Sequence, residues 1–147
     1  MSVIIRSLEK GDHAAWKSLW KAYLAFYDTV LSDETIDTNW QRLLLNDPHE
    51  FHGLLAVDES GNAIGLAHYL FHRHGWNVNN VCYLQDLFVC PKLRSQGVGK
   101  KLIQAVYMRA DEQQASQVYW MTQSQNTTAR KLYDKVADLT PFIKYQR

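Results

Sequence analysis

The chain has 147 residues, 46% hydrophobic and 21% charged, a length and balance that suit one globular domain over 1–147 and exclude a disordered chain or a disulfide-stapled miniprotein. A formal net charge of +1 gives no general attraction to nucleic acid or to anionic membrane, so charge-based recognition falls to local patches. No apolar run approaches the ~20 residues of a membrane span, and charge enters the N-terminal stretch too early for a secretory leader, so a cytoplasmic protein is expected.

Residues 3–8 (VIIRSL) read as a strand. The stretch GDHAAWKSLWKAYLAFY then offers Asp12 as an N-cap and sets Trp16, Leu19, Trp20, Tyr23 and Tyr27 at helical spacing. A second helix is predicted over ETIDTNWQRLLLN, stopping before Pro48 because the residue ahead of a proline is pushed out of helical geometry. FHGLLAVD and AIGLAHYLFHRH, joined by the turn ESGN, read as a hairpin. The next strand is VCYLQDLFVC, closed by Pro91; its Cys82 and Cys90 lack the paired spacing of a metal or redox site and read as buried free thiols. Leu102, Ile103, Val106 and Tyr107 predict a helix from Val98 to about Glu112, followed by a strand at QVYWMT, a short helix at NTTARKLYDKVA and a last strand at PFIKYQ. The order is α+β around a mixed sheet.

The segment RSQGVGKKL places two glycines one residue apart between an apolar strand and a basic helix. A dinucleotide fingerprint fails, because Leu102 stands where its third glycine belongs, and a phosphate-binding P-loop fails at Arg94 and Lys101. What remains is either a tight strand-to-helix turn or an anion site, in which the free N–H groups and the positive end of the helix dipole meet a phosphate across bare glycine backbone.

With its neighbours the loop becomes more specific. YLQDLFVCPKLRSQGVGKKLI followed by NTTARKLY resembles the acetyl-coenzyme A-binding core of the GNAT superfamily of N-acetyltransferases. Arg94, Gly97 and Gly99 fill its [QR]-x-x-G-x-[GA] signature, Asn126 and Tyr133 match its later Asn and Tyr, and IIRSLEKGDHAAW is similar to its opening strand and helix. YLQDLFV, LYDKVA and PFIKYQR are most similar to spermidine/spermine-type and Hpa-type amine acetyltransferases.

The resemblance implies a mostly antiparallel sheet of six to seven strands with about four helices on both faces, and acetyl-coenzyme A as co-substrate. The pantetheine arm would lie between the splayed strands YLQDLFV and QVYWMT, against Leu87, Phe88 and Val89. The pyrophosphate would meet Arg94 and the N–H groups of Gln96, Gly97, Val98, Gly99 and Lys100. Lys100 and Lys101 either reach further phosphates or form a solvated helical turn. Asn126 would bind the cofactor, Tyr133 would protonate the departing thiolate, and an N–H near Leu87 would polarise the thioester carbonyl; as a residue type, Tyr133 equally suits a core aromatic.

The base is where this chain departs from the family. Spermidine/spermine acetyltransferases carry glutamate where Gln85 stands, and glutamine accepts no proton. Tyr83 and Gln85 share one face of an alternating strand, so Gln85 can hold a water or the substrate amine, while Asp86 falls on the opposite face and reads as structural. Without a direct base, the rate is expected to climb with pH. His68, His72 and His74 share one parity; a row of histidines on the surface is expected rather than a metal site, with His68 placed near the acceptor. Tyr23, Tyr27 and Asp28, with Phe26, Asp33 and Glu34, bring aromatic faces and carboxylates that suit a cationic amine, or else simply a capped amphipathic helix.

Two functions follow. One is acetyl transfer to a primary amine of a small molecule, polyamine or amino acid-like, or else to a lysine of a protein or peptide. The other is a coenzyme A-binding sensor without turnover, suggested by Gln85. The apolar tail and the resemblance imply a homodimer; neither nucleic acid nor membrane is expected as a partner.

Overall fold

A computed structural model describes residues 2–147. Five strands run in the spatial order β1 (Val3–Ser7), β2 (His52–Asp58), β3 (Ala63–His72), β4 (Val81–Val89), β5 (Val118–Tyr119). The first three pairings are antiparallel and β4–β5 is parallel. On one face lie α1 (His13–Phe26) and α2 (Asp33–Leu44); on the other lie α3 (Val98–Glu112) and α4 (Thr127–Val136). No helix among the described residues is long and apolar enough to cross a membrane.

Burial follows the predicted periodicity. α1 buries Trp16, Leu19, Trp20 and Leu24, and α2 buries Ile36, Trp40 and Leu43, against Leu55, Leu66 and Phe88 of the sheet. α3 buries Val98, Leu102, Ile103, Val106 and Ala110 against Leu54, Ala67, Tyr69, Cys82 and Leu84. α2 starts at Ser32, whose hydroxyl accepts from the Thr35 N–H at 3.2 Å. Ser32→Ala is expected to cost about 1 kcal/mol, read as a lower urea midpoint at unchanged slope.

Three expectations need correction. The first concerns Asp12, which precedes α1 but does not cap it with its side chain. Its carboxylate is drawn instead to the Arg6 guanidinium, at 2.8 and 2.9 Å, and to the Glu9 N–H. The second is the tail. PFIKYQ forms no strand and QVYWMT contracts to Val118–Tyr119, leaving five strands instead of six to seven. A strand needs a hydrogen-bonding neighbour, and the tail pairs with none among the described residues; Leu139, Phe142, Ile143 and Tyr145 are each at least 75% exposed.

The third concerns β4. His68 stands opposite Asp86, but Tyr69 stands opposite Leu84, so Gln85 is the extra residue of a β-bulge. Leu84 before the bulge and Leu87 and Val89 after it all face the α3 core, whereas Phe88 packs with α1. Simple alternation is thereby broken, and Asp86 turns to the α1 face, bonded to His68 and Tyr23. It is not on the side opposite Tyr83: Cys82 and Leu84 face the α3 core, so Tyr83 between them shares the α1 face with Asp86.

Candidate active site

β4 and β5 pair at Cys82–Val118 and Tyr83–Tyr119. Beyond that point β4 runs on to Val89 while β5 ends, so among the described residues no strand pairs with this edge of β4 at Leu87, Phe88 and Val89. At its end the chain turns through Pro91–Leu93 into the glycine loop. Gly97 caps α3 with φ +84°, and Ser95 also has positive φ. A Cβ on Gly97 would meet nothing within 4 Å, so this backbone faces open space. Gly99 is small for a different reason: its Cβ would lie 3.3 Å from Leu132 of α4 and 3.9 Å from Val89.

The first α3 hydrogen bond from within the helix to the cap runs from the Lys101 N–H to the Gly97 carbonyl. The N–H groups of Val98, Gly99 and Lys100 therefore precede any intrahelical acceptor and point out of the helix end. Bare backbone beside free donors fits a pyrophosphate. Gln96, Lys100 and Lys101 are exposed. Arg94 lies at the start of this loop: its Nε donates to the Val89 carbonyl at 3.1 Å, and its guanidinium lies 5.0 Å from the Phe26 ring centroid and 5.6 Å from that of Phe88.

Past β5, Asn126 precedes the first turn of α4 without a side-chain cap bond, its amide 3.4 Å from the Thr122 hydroxyl. Seven residues on, Tyr133 packs edge-on against Trp120 at 5.4 Å. Its hydroxyl has no hydrogen-bond partner among the described residues, and burial pushes it up to about 12, helped by nearby Tyr27. Such a phenol stays protonated through the neutral range and has its proton free to give.

On the α1 face the residues singled out by sequence fall into separate groups. Tyr23 donates to Asp86 Oδ1 at 2.7 Å, and Asp86 Oδ2 lies 3.0 Å from His68 Nδ1. His68 is buried rather than part of a surface row. His72 Nε2 lies 2.6 Å from the Tyr119 hydroxyl, and Tyr119 stacks on Tyr83 at 4.7 Å. His74 packs against the exposed Trp76. Among the described residues, no three His, Cys, Asp or Glu side chains converge as a metal site would require. Gln85 is exposed at the bulge, Tyr27 packs on Tyr23, and Asp28 takes a positive-φ position at the exit of α1.

Sequence reasoning passed over Trp16, Trp20 and Asp86 as functional groups. Their helical and strand positions were legible, but their convergence depends on the bulge. The one available signal was a carboxylate directly beside Gln85.

The chain matches the acetyltransferase (GNAT) family over residues 13–137. It is 44% identical over 147 residues to the D-amino-acid N-acetyltransferase HPA3 of Saccharomyces cerevisiae, covering 99% of this chain and 90% of that protein. It is 34% identical over 79 residues to the thialysine N-epsilon-acetyltransferase of Bos taurus, covering 52% of this chain and 46% of that one. The solved structure of AAC(6')-Iy in complex with the bisubstrate analog CoA-S-monomethyl-acetylneamine superposes with a TM-score of 0.86 at 24% identity, over 100% of this chain and 98% of that one, a likeness of fold. The glycine-led helix, the unpaired β4 edge beyond β5 and the match across most of the chain agree: this protein is an N-acetyltransferase of the GNAT family.

Proposed function

We propose that the protein transfers acetyl from acetyl-coenzyme A to the primary amine of a small, amino acid-like molecule. Similarity along 99% of the chain to a D-amino-acid N-acetyltransferase supports this acceptor class over a polyamine or a protein lysine. The Tyr133 hydroxyl, protonated and without a hydrogen-bond partner among the described residues, carries the reading of a catalyst over that of a sensor.

When bound, acetyl-coenzyme A supplies an activated thioester. In this reading the N–H groups from Gly97 to Lys100 hold the pyrophosphate, with Gln96 and Arg94 beside them. The open β4 edge at Leu87, Phe88 and Val89 pairs with the pantetheine arm, and the Leu87 N–H polarises the carbonyl. Asn126 orients the arm and Tyr133 delivers a proton to the departing sulfur. The test is thiol release from acetyl-coenzyme A with a panel of D- and L-amino acids, polyamines and lysine peptides. Turnover confined to amino acids is expected; turnover confined to polyamines or peptides replaces the acceptor class, and none with any amine favours the sensor.

The same proposal includes a homodimer. Leu139, Phe142, Ile143 and Tyr145 stand exposed on a strandless tail, and β5 is an edge strand of the sheet. A second copy offers both the cover and the missing strand neighbour. Light scattering is expected to give twice the 17.1 kDa chain mass, and a monomer at assay concentration would count against it. The free thiols Cys82 and Cys90 support a cytoplasmic location.

A further inference from the structure

We propose that Asp86, held by the His68–Trp16 pair and by Tyr23, binds the acceptor as an ammonium ion and takes its proton, the task Gln85 cannot perform. The inference rests on the amine-acetyltransferase reading above and deepens it.

The argument starts from Trp16. Its indole N–H is a donor only, and it donates to His68 Nε2 at 2.9 Å. Nε2 must therefore present its lone pair, which assigns the imidazole proton to Nδ1, the atom 3.0 Å from Asp86 Oδ2. In this arrangement His68 is a neutral donor. It has no lone pair left for a substrate proton, so it positions the carboxylate and does not act as the base.

Asp86 is thus a carboxylate with 10% of its side chain exposed, whose one basic neighbour within ion-pair distance among the described residues is a neutral imidazole. A buried anion without a counter-cation is costly, and a bound cation removes that cost. The surroundings suit an organic one. Trp20 and Tyr23 stack at 4.9 Å, Trp20 lies 4.9 Å from His68, and Phe88 stands edge-on to Tyr23 at 6.1 Å, giving aromatic faces around the carboxylate. A cavity of about 30 Å³ reaches Asp86 between Trp20, Asn39, Leu43, Phe51 and His68. That space admits an ammonium head or a single water.

The carboxylate also keeps capacity to accept. Each oxygen takes one hydrogen bond, from Tyr23 and from His68, which leaves a lone-pair site on each. Asp86 directly precedes Leu87, whose N–H is assigned to the thioester carbonyl, so a nitrogen held by Asp86 lies beside the reacting group. The proton count closes. An ammonium that becomes an amide loses two protons; Asp86 takes one and passes it to solvent, and the other balances the proton Tyr133 gives the sulfur.

The titratable groups facing Asp86 are His68 from β3, Tyr23 from α1 with Tyr27 beyond it, and Tyr83 from β4; α2 contributes Asn39, which does not titrate. Burial and the adjacent Asp86 push the Tyr23 hydroxyl far above its ordinary range, so it remains a donor at any assay pH.

Asp86→Asn keeps the shape and removes the base. At pH 7 the turnover rate is expected to fall by roughly 10² to 10⁴, with coenzyme A affinity unchanged. The residual rate is expected to rise about tenfold per pH unit toward the ~10.4 of a free alkylamine, where the wild type is flat from about pH 7 to 9. His68→Leu is expected to lower the rate and steepen its pH dependence, and His68→Asn, which restores a donor, to recover part of both.

Calorimetry of n-butylamine binding to the coenzyme A complex reads the site without turnover. Wild-type binding enthalpy is expected to be independent of the buffer's ionisation heat, as for an ammonium bound intact, and Asp86→Asn to weaken it on the order of tenfold or more. A wild type that binds the amine in this way but acetylates none would overturn the acetyltransferase reading and uphold Asp86 as an ammonium site. An Asp86→Asn protein with wild-type rate, pH profile and amine affinity would overturn the inference and leave the acetyltransferase reading standing. Proton release on wild-type amine binding would overturn it even if Asp86→Asn failed to fold.

Discussion

Tyr133→Phe is expected to lower the turnover rate by roughly 10² to 10⁴ while leaving coenzyme A affinity within about twofold. The phenol held up to about 12 by burial remains a proton source across the working range, and no internal acceptor competes for that proton among the described residues. Phenylalanine keeps the edge-on contact with Trp120 at 5.4 Å, so α4 retains its packing. The loss then falls on the step that protonates the leaving sulfur, worth about 3 to 5 kcal/mol of barrier. Steady-state kinetics with a saturating amine, beside calorimetric titration with coenzyme A, separates the two. Near-normal turnover would remove Tyr133 as the acid.

Gly97→Glu is expected to abolish detectable coenzyme A binding in a protein with a native-like circular dichroism spectrum. With φ at +84°, a side chain here carries backbone strain of about 1 kcal/mol, well short of what unfolds a domain. Its Cβ meets no protein atom within 4 Å, so the glutamate reaches into the space assigned to the pyrophosphate. There it places a negative charge at the N-terminus of α3, satisfying the donors the phosphate would use. Gly97→Ala is the control, with the same strain and no charge, and is expected to weaken binding far less. Gly99→Glu would be uninformative, because Leu132 at 3.3 Å makes that position a packing contact. Equal affinity in folded Gly97→Glu and wild type would refute the assignment.

The rate was expected to rise with pH because Gln85 lacks a carboxylate; Asp86 as the base predicts a flat profile instead. The two expectations differ by one residue of register in β4. They part there because a strand read from sequence is assumed to alternate, whereas the backbone at Gln85 bulges.

Local patterns determined a good deal of this protein. Trp16, Leu19 and Trp20 at helical spacing, the apolar run ahead of Pro91, and the Arg94–Gly97–Gly99 and Asn126–Tyr133 spacings prescribed the helices, the central strands and the family, because each signal lies within a few residues of chain. Gly97 was recognisable as special for the same reason: positive φ is a property of one residue. Tertiary structure decided the rest. Whether 141–146 forms a strand depends on pairing with another strand, which it lacks among the described residues, and no property of the segment itself supplies one. The placement of Arg94 over Phe26 and Phe88 brings together residues from α1 and β4 that no local rule connects. The partners of Asp86 were settled by a single unpaired residue in the β3–β4 ladder, which reverses every side chain beyond it and so turns a carboxylate toward Trp16, His68 and Tyr23.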